Sequence, residues 1–144
     1  MAADIPLVLF AEDDDEDWIL ISDVLDNECQ ARMRYERVKD GEALLARLRD
    51  PSLPIPHLVM LDLKMPRKDG TETLKEIRDD VNLRHIPVIV LTTSKLEADI
   101  FRAYHAGANS YLVKPVRFPE MANILKAAHH YWAEIATVPL PRYP

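Results

Sequence analysis

One cysteine, three glycines and no basic excess leave several functions without material in this 144-residue chain. Cys29 alone cannot form an internal disulfide, and no ligand spacing around it suggests zinc. With 18 Lys and Arg against 24 Asp and Glu, the formal net charge is −6. Such a chain has nothing with which to release counterions from a phosphate backbone, so no nucleic-acid partner is expected. No apolar run approaches the roughly 18 residues of a membrane helix, and no membrane partner is expected. The start MAADIPLVLF has no basic residues and meets acid at once, unlike a secretory signal, so a cytoplasmic location is expected. The five histidines are scattered, and the adjacent His129 and His130 should point in different directions on a helix. What is present is a 48% hydrophobic chain of one domain's length, enough for a core without disulfide or metal staples.

Short apolar runs alternate with longer amphipathic stretches. Ile5–Ala11, His57–Leu61 and Pro87–Leu91 are nearly continuous apolar runs, as suits strands buried on both faces. Ser110–Val113 is a shorter run ending at Lys114-Pro115, and Arg32–Val38 is a strand of mixed alternation. Between them lie helical patterns: Asp14–Glu28 with Ile21, Val24 and Leu25 inward, and a helix capped by Asp40 with Leu44, Leu45 and Leu48 inward. Thr71–Asp80 carries Leu74 and Ile77, and Lys95–Ala106 carries Leu96, Ile100 and Ala103. The last stripe is Met121, Ile124, Leu125, Ala128, Trp132 and Ile135, with Pro119 in the first turn. Strand and helix alternate five times, which predicts parallel strands, right-handed crossovers and a three-layer, doubly wound α/β sandwich. Gly107 is placed to end the fourth helix. Residues 136–144, with three prolines, cannot continue the fifth helix.

In open parallel sheets, ligands bind beyond the carboxyl ends of the strands. The first apolar run delivers Glu12 and Asp13 there, the third Asp62, the fourth Thr92 and the fifth Lys114. Carboxylates held within a few ångströms repel by ~1 kcal/mol per pair in water and ~4 kcal/mol at a protein edge. A hard divalent cation relieves this, and Mg²⁺ binds through a few carboxylates while accepting phosphate oxygens. Asp62 could then attack phosphorus, with Lys114 and the Thr92 hydroxyl neutralising equatorial oxygens. Each residue alone has a plainer reading. Asp14, Asp15, Glu16 and Asp17 read as capping and dipole charges of the first helix, Thr92 as a strand-end hydroxyl and Lys114 as a solvated lysine. Their joint occurrence, each at the exit of its own strand, favours the chemistry.

The stretches AEDD (Ala11–Asp14), LDLKMPRKDG (Leu61–Gly70), LTTS (Leu91–Ser94) and YLVKP (Tyr111–Pro115) resemble those of receiver domains of two-component response regulators. The intervals agree: 92 − 62 gives 30 residues and 114 − 92 gives 22. The resemblance implies a receiver over 4–135, a flavodoxin-like sheet of order 2-1-3-4-5, and Asp62 as phosphoacceptor. It implies that Asp13 ligates Mg²⁺ directly and Glu12 through water, with Asp62 as third carboxylate and the Lys64 backbone carbonyl also facing the metal. Lys114 would bind a phosphoryl oxygen, with a cis Lys114-Pro115 bond, and Thr92 and Tyr111 would form a switch pair. Phosphorylation would draw the Thr92 hydroxyl inward, let the Tyr111 ring fill the space, and reshape the face of the fourth helix, fifth strand and fifth helix. Pro66 and the Asp69-Gly70 turn would bend the loop after Asp62.

More finely, PRKDG, LTTS and YWAEIATVPLP resemble the single-domain regulators that partner bacterial phytochrome histidine kinases. The implied function is a single-domain regulator of a phosphorelay, with a sensor histidine kinase as donor. Output would be noncovalent binding or onward transfer to a histidine phosphotransfer protein. A homodimer through that same face and the 136–144 tail is also implied, Tyr131 and Trp132 adding aromatic surface. Three other readings fit less well. A phosphatase of the haloacid-dehalogenase type needs a second Asp where Lys64 stands, so the chain is not read as an enzyme. A flavin binder needs a glycine- and hydroxyl-rich loop where EDDDED stands. A receiver relic would not keep Asp13, Asp62, Thr92 and Lys114.

Overall fold

Three strands form the buried middle of the sheet: β1 (Leu7–Ala11), β3 (Leu58–Leu61) and β4 (Val88–Thr92). In this computed structural model, which describes residues 5–29 and 33–139, β2 (Arg34–Val38) and β5 (Ser110–Val113) flank them. The five strands are all parallel, in the order 2-1-3-4-5 expected. The continuous apolar runs are the central strands because both of their faces need covering. Alternate residues divide between two cores: Leu9 and Ala11 face one, Val8 and Phe10 the other. β1 begins at Leu7 rather than Ile5, and Arg32, the expected start of β2, lies outside the described residues.

The helices are α1 (Asp15–Val24), α2 (Gly41–Arg49), α3 (Gly70–Asp79), α4 (Glu97–Ala106) and α5 (Phe118–His129). Asp14, Asp40 and Asp69 cap the first three, accepting from the amides of Asp17, Ala43 and Glu72. Ile21, Val24, Met121 and Leu125 cover one face of the sheet, and Leu44, Leu48, Leu74 and Ile77 the other. Gly107 ends α4 with φ 111°, as its position predicted. No helix among the described residues is long and apolar enough to cross a membrane.

Several expectations need correction. Leu96 is 65% exposed, because α4 starts one residue after it and Leu96 sits at the cap. The helical patterns ending at Glu28 and Ile135 finish in π-type turns, Leu25–Cys29 and His130–Ile135. Their wider winding breaks the 3.6 period, so Trp132 packs on the core while Ile135 is exposed. His129 is buried and His130 exposed, as their expected divergence implies, and Glu134 lies 4.0 Å from the first and 2.8 Å from the second. Ala136 leaves the helix in extended conformation. The expected apolar tail positions Leu140 and Tyr143 lie outside the described residues.

At the foot of the sheet His57 locks β1 to β3. Its Nδ1 accepts the Leu7 amide at 3.1 Å, while its own amide donates to the Leu7 carbonyl at 2.9 Å. Burial, with Arg34 nearby, lowers the imidazole below its usual value. A folded-state value under the unfolded value of about 6.5 makes this contribution complete above that pH and lost as pH falls through the folded value. Between about pH 7.5 and 5.5, the urea midpoint of the wild-type chain is therefore expected to fall more than that of His57→Asn. Equal falls would mean the imidazole carries no such linkage.

Candidate functional site

The ladder hydrogen bonds run one residue past each strand and so fix the backbone of the site. The Glu12 amide donates to Val38, the Asp62 amide to Ala11 (both 3.0 Å), and the Lys114 amide to Thr92 at 2.7 Å. Parallel strands in register thus deliver Glu12, Asp62, Thr92 and Lys114 to one edge, all buried. Among the described residues, Glu12, Asp13 and Asp62 each offer a carboxylate oxygen within 4.8 Å of the others. Glycine is required at 70, since a Cβ there would run into the Asp62 carbonyl oxygen. Asp69 beside it caps α3 rather than only shaping a turn. The loop between holds Arg67 at φ 66°, a conformation that costs a non-glycine side chain.

The ammonium of Lys114 sits amid this charge. It donates to Asp62 Oδ2 and Asp17 Oδ2, each at 2.8 Å, and pairs with Glu12 Oε1. Burial pulls its proton affinity down, but the hydrogen bonds to Asp17, Asp62 and Glu12 hold it above the usual lysine range. Asp62 Oδ1 accepts the Lys64 amide at 3.2 Å, and the Lys64 side chain points to solvent. Burial pushes the Glu12 carboxyl up to about 7 against the pull of Lys114. Asp13 is also raised, first by burial and then by the charge of Asp62. Its partly exposed side chain leaves the trio open toward solvent.

A clustered set of hard oxygen donors under mutual repulsion suits a divalent cation better than any softer metal. A second polar group awaits a partner: the Thr92 hydroxyl is fully buried with no hydrogen bond, a cost of about 1–3 kcal/mol. Tyr111 is half-buried against the α2–α4 core, and its hydroxyl donates to the Ser94 carbonyl at 2.9 Å. Ser94 in turn donates to Asp99 at 2.5 Å, binding the β4–α4 loop to α4.

The expected residues Glu12, Asp13 and Asp62 meet, Lys114 pairs with two of them, Thr92 stands at the same edge, and the observed Lys64 contact is its amide to Asp62 rather than the expected carbonyl. Asp17 is the residue that the reading as a helix-dipole charge missed. Nothing in the run of acids singles it out, because the contact that does so comes from Lys114, 97 positions away. Arg37 was also missed: its Nε donates to the Glu12 carbonyl at 2.9 Å and steadies that turn. The expected cis bond is overturned, for there is no cis peptide among the described residues. Lys114-Pro115 is trans, the intrinsically favoured isomer, and Lys114 reaches Asp62 with it.

The family model described as response regulator receiver domain matches residues 8–126. The chain is 34% identical over 139 residues to the response regulator Rcp1 of Synechocystis sp., covering 92% of each chain. Its structure is similar to that of the phosphorylated cyanobacterial phytochrome response regulator RcpA. The TM-score is 0.85 and the identity 36%, with 93% of this chain and 98% of that one covered. It is similar also to the Mn²⁺-bound form of Rcp1, with TM-score 0.82 and 33% identity over 93% of this chain and 99% of that one.

Proposed function

The chain belongs to the response regulator receiver domain family, phosphoryl-accepting signalling domains rather than classical enzymes, and on that premise we propose that Asp62 is its phosphoacceptor. Receiver domains bind a divalent metal. Here Asp13, Asp62 and Glu12, with the Lys64 carbonyl, would hold Mg²⁺. The observation that supports this reading most is the Glu12, Asp13 and Asp62 trio, two of whose members, Glu12 and Asp62, pair with the Lys114 ammonium. When bound, the ion neutralises oxygens of the transferring phosphoryl group and of the attacking carboxylate.

A carboxylate oxygen of Asp62 attacks the phosphorus of a phosphohistidine. The P–N bond breaks, the imidazole leaves with the electron pair and takes up a proton, and an acyl phosphate forms on Asp62. Lys114 gives up one carboxylate contact and donates to a phosphoryl oxygen instead. The partnerless Thr92 hydroxyl turns to donate to another, which removes the cost of its burial. Tyr111 then repacks, and the α4, β5 and α5 face changes shape. Inverting a strongly one-sided equilibrium takes about 5.5 kcal/mol of differential stabilisation.

The donor is a sensor histidine kinase of the phytochrome type, in keeping with the similarity to RcpA and Rcp1. The location is cytoplasmic, and a histidine phosphotransfer protein is a candidate onward acceptor. Labelling by a phosphorylated kinase should need Mg²⁺ and vanish in excess chelator. Borohydride reduction of the product should mark residue 62. Chelator-resistant labelling, or a mark elsewhere, would refute the assignment.

The receiver spans 4–135, and 136–144 forms a dimerisation arm. Exposed Phe101 and Tyr104 on α4, at 72% and 49%, give apolar surface on the shared face. So does a groove of about 370 Å³ lined by Leu112, Ile124, Tyr131 and Trp132. Sedimentation should give a dimer that dissociates when 136–144 is removed. An unchanged mass would exclude the arm.

A further inference from the structure

We infer that Asp17 is a positioning residue for phosphoryl transfer, acting as the fixed counter-ion that holds the Lys114 ammonium while its other partners change. The inference rests on Asp62 being the phosphoacceptor. An ammonium has three N–H donors, and here they face three carboxylates: Glu12, Asp17 and Asp62. Two of these have other duties. Asp62 must release the ammonium when its oxygen becomes bonded to phosphorus, and Glu12 belongs to the carboxylate trio. Asp17 does not belong to it, and its own place is fixed independently of the strands. Its amide is held at 2.9 Å by the capping carboxylate of Asp14, in the first turn of α1.

The pairing joins residues 97 positions apart, the first turn of α1 and the end of β5. The Lys114 side chain is 3% exposed and that of Asp17 35%, so the contact is sheltered at the lysine and open at the acid. An ammonium buried to that degree cannot wait in water for the phosphoryl group to arrive. With Asp17 in place, it pivots from Asp62 Oδ2 to a phosphoryl oxygen without losing its remaining charge partner. Without Asp17, the ammonium that lets go of Asp62 keeps only Glu12, a member of the carboxylate trio, as its charge partner.

The test measures initial rates of phosphorylation by phosphoramidate in saturating Mg²⁺ for Asp17→Asn and Asp17→Ala. The Asn variant keeps the side-chain shape and removes the charge. Both should slow labelling about tenfold, the size of one charge-assisted hydrogen bond, and Asp17→Glu should recover most of the rate. In a Lys114→Met background Asp17→Asn should change the rate less than about twofold, since its effect passes through Lys114. A merely structural role in α1 would persist in that background. Should the Lys114 variants fold poorly or label too slowly to time, the Glu rescue and the half-saturating beryllofluoride concentration of the Asp17 variants, read by fluorine NMR, decide alone. Wild-type rates and beryllofluoride affinity in Asp17→Asn, or equal losses with and without Lys114, overturn the inference. Labelling that survives Asp62→Asn would instead overturn the assignment of the acceptor.

Discussion

Asp62→Asn is expected to lower phosphoryl uptake by about 10³ or more while leaving the fold in place. The amide has nearly the volume of the carboxylate but no anionic oxygen with which to attack phosphorus. One of the two contacts survives in weaker form: the amide oxygen can still accept from Lys114 or from the Lys64 amide, while the NH2 group faces the other donor. The substitution also removes one of three clustered negative charges, which relieves repulsion on Glu12 and Asp13, where the charge of Asp62 is among the causes of the raised carboxyls. Lost attraction to Lys114 and lost repulsion offset one another. The urea midpoint should therefore move by no more than about 1 kcal/mol in equivalent stability. Loss of labelling with an unchanged midpoint separates a missing nucleophile from a damaged fold. Labelling at the wild-type rate would place the acceptor elsewhere.

Much of this site was legible because the rules that place it are topological. Three uninterrupted apolar runs could only be central parallel strands, and whatever followed each had to stand on one edge. Glu12, Asp13, Asp62, Thr92 and Lys114 were readable on that ground alone. What stayed hidden depended on pairings across long sequence distances or on local winding. Asp17 lies in a run of six acids, where capping and dipole effects are a sufficient account, and only the approach of Lys114 from β5 singles it out. Leu96 obeyed the helical period but fell just outside the first turn. The π-type turns after α1 and α5 have no pattern that distinguishes them from continued α-helix, so the exposure of Ile135 could not be foreseen. The isomer of Lys114-Pro115 was inferred from likeness to a family, and a likeness of residues does not fix a bond that prefers trans by about 0.5–1 kcal/mol.

The role of Lys114 in the resting site sets a second expectation, and its sign separates two accounts of the lysine. If it were only a phosphate ligand, its removal would affect transfer and little else. The geometry makes it also the counter-ion of Glu12 and Asp62, both nearly excluded from solvent. Lys114→Met leaves those carboxylates facing one another and Asp13 with no cation between them. Breaking a buried ion pair on one side costs about 3–5 kcal/mol, which for a chain of this size lowers Tm by roughly 10 °C in chelator. Part of the loss is recovered by proton uptake at Glu12, whose carboxyl already stands at about 7. A divalent cation should recover more. At about a hundred times its Kd, a ligand that binds only the folded state adds about 2.7 kcal/mol. In the wild-type chain that gain is reduced, because the incoming ion competes with an ammonium already holding two of its ligands. Thermal unfolding with and without Mg²⁺ should show a larger stabilisation in Lys114→Met than in the wild type, together with tighter Mg²⁺ binding. Equal increments would mean that Lys114 does not hold Glu12 and Asp62 against the metal, and that the ammonium leaves the trio before the ion arrives.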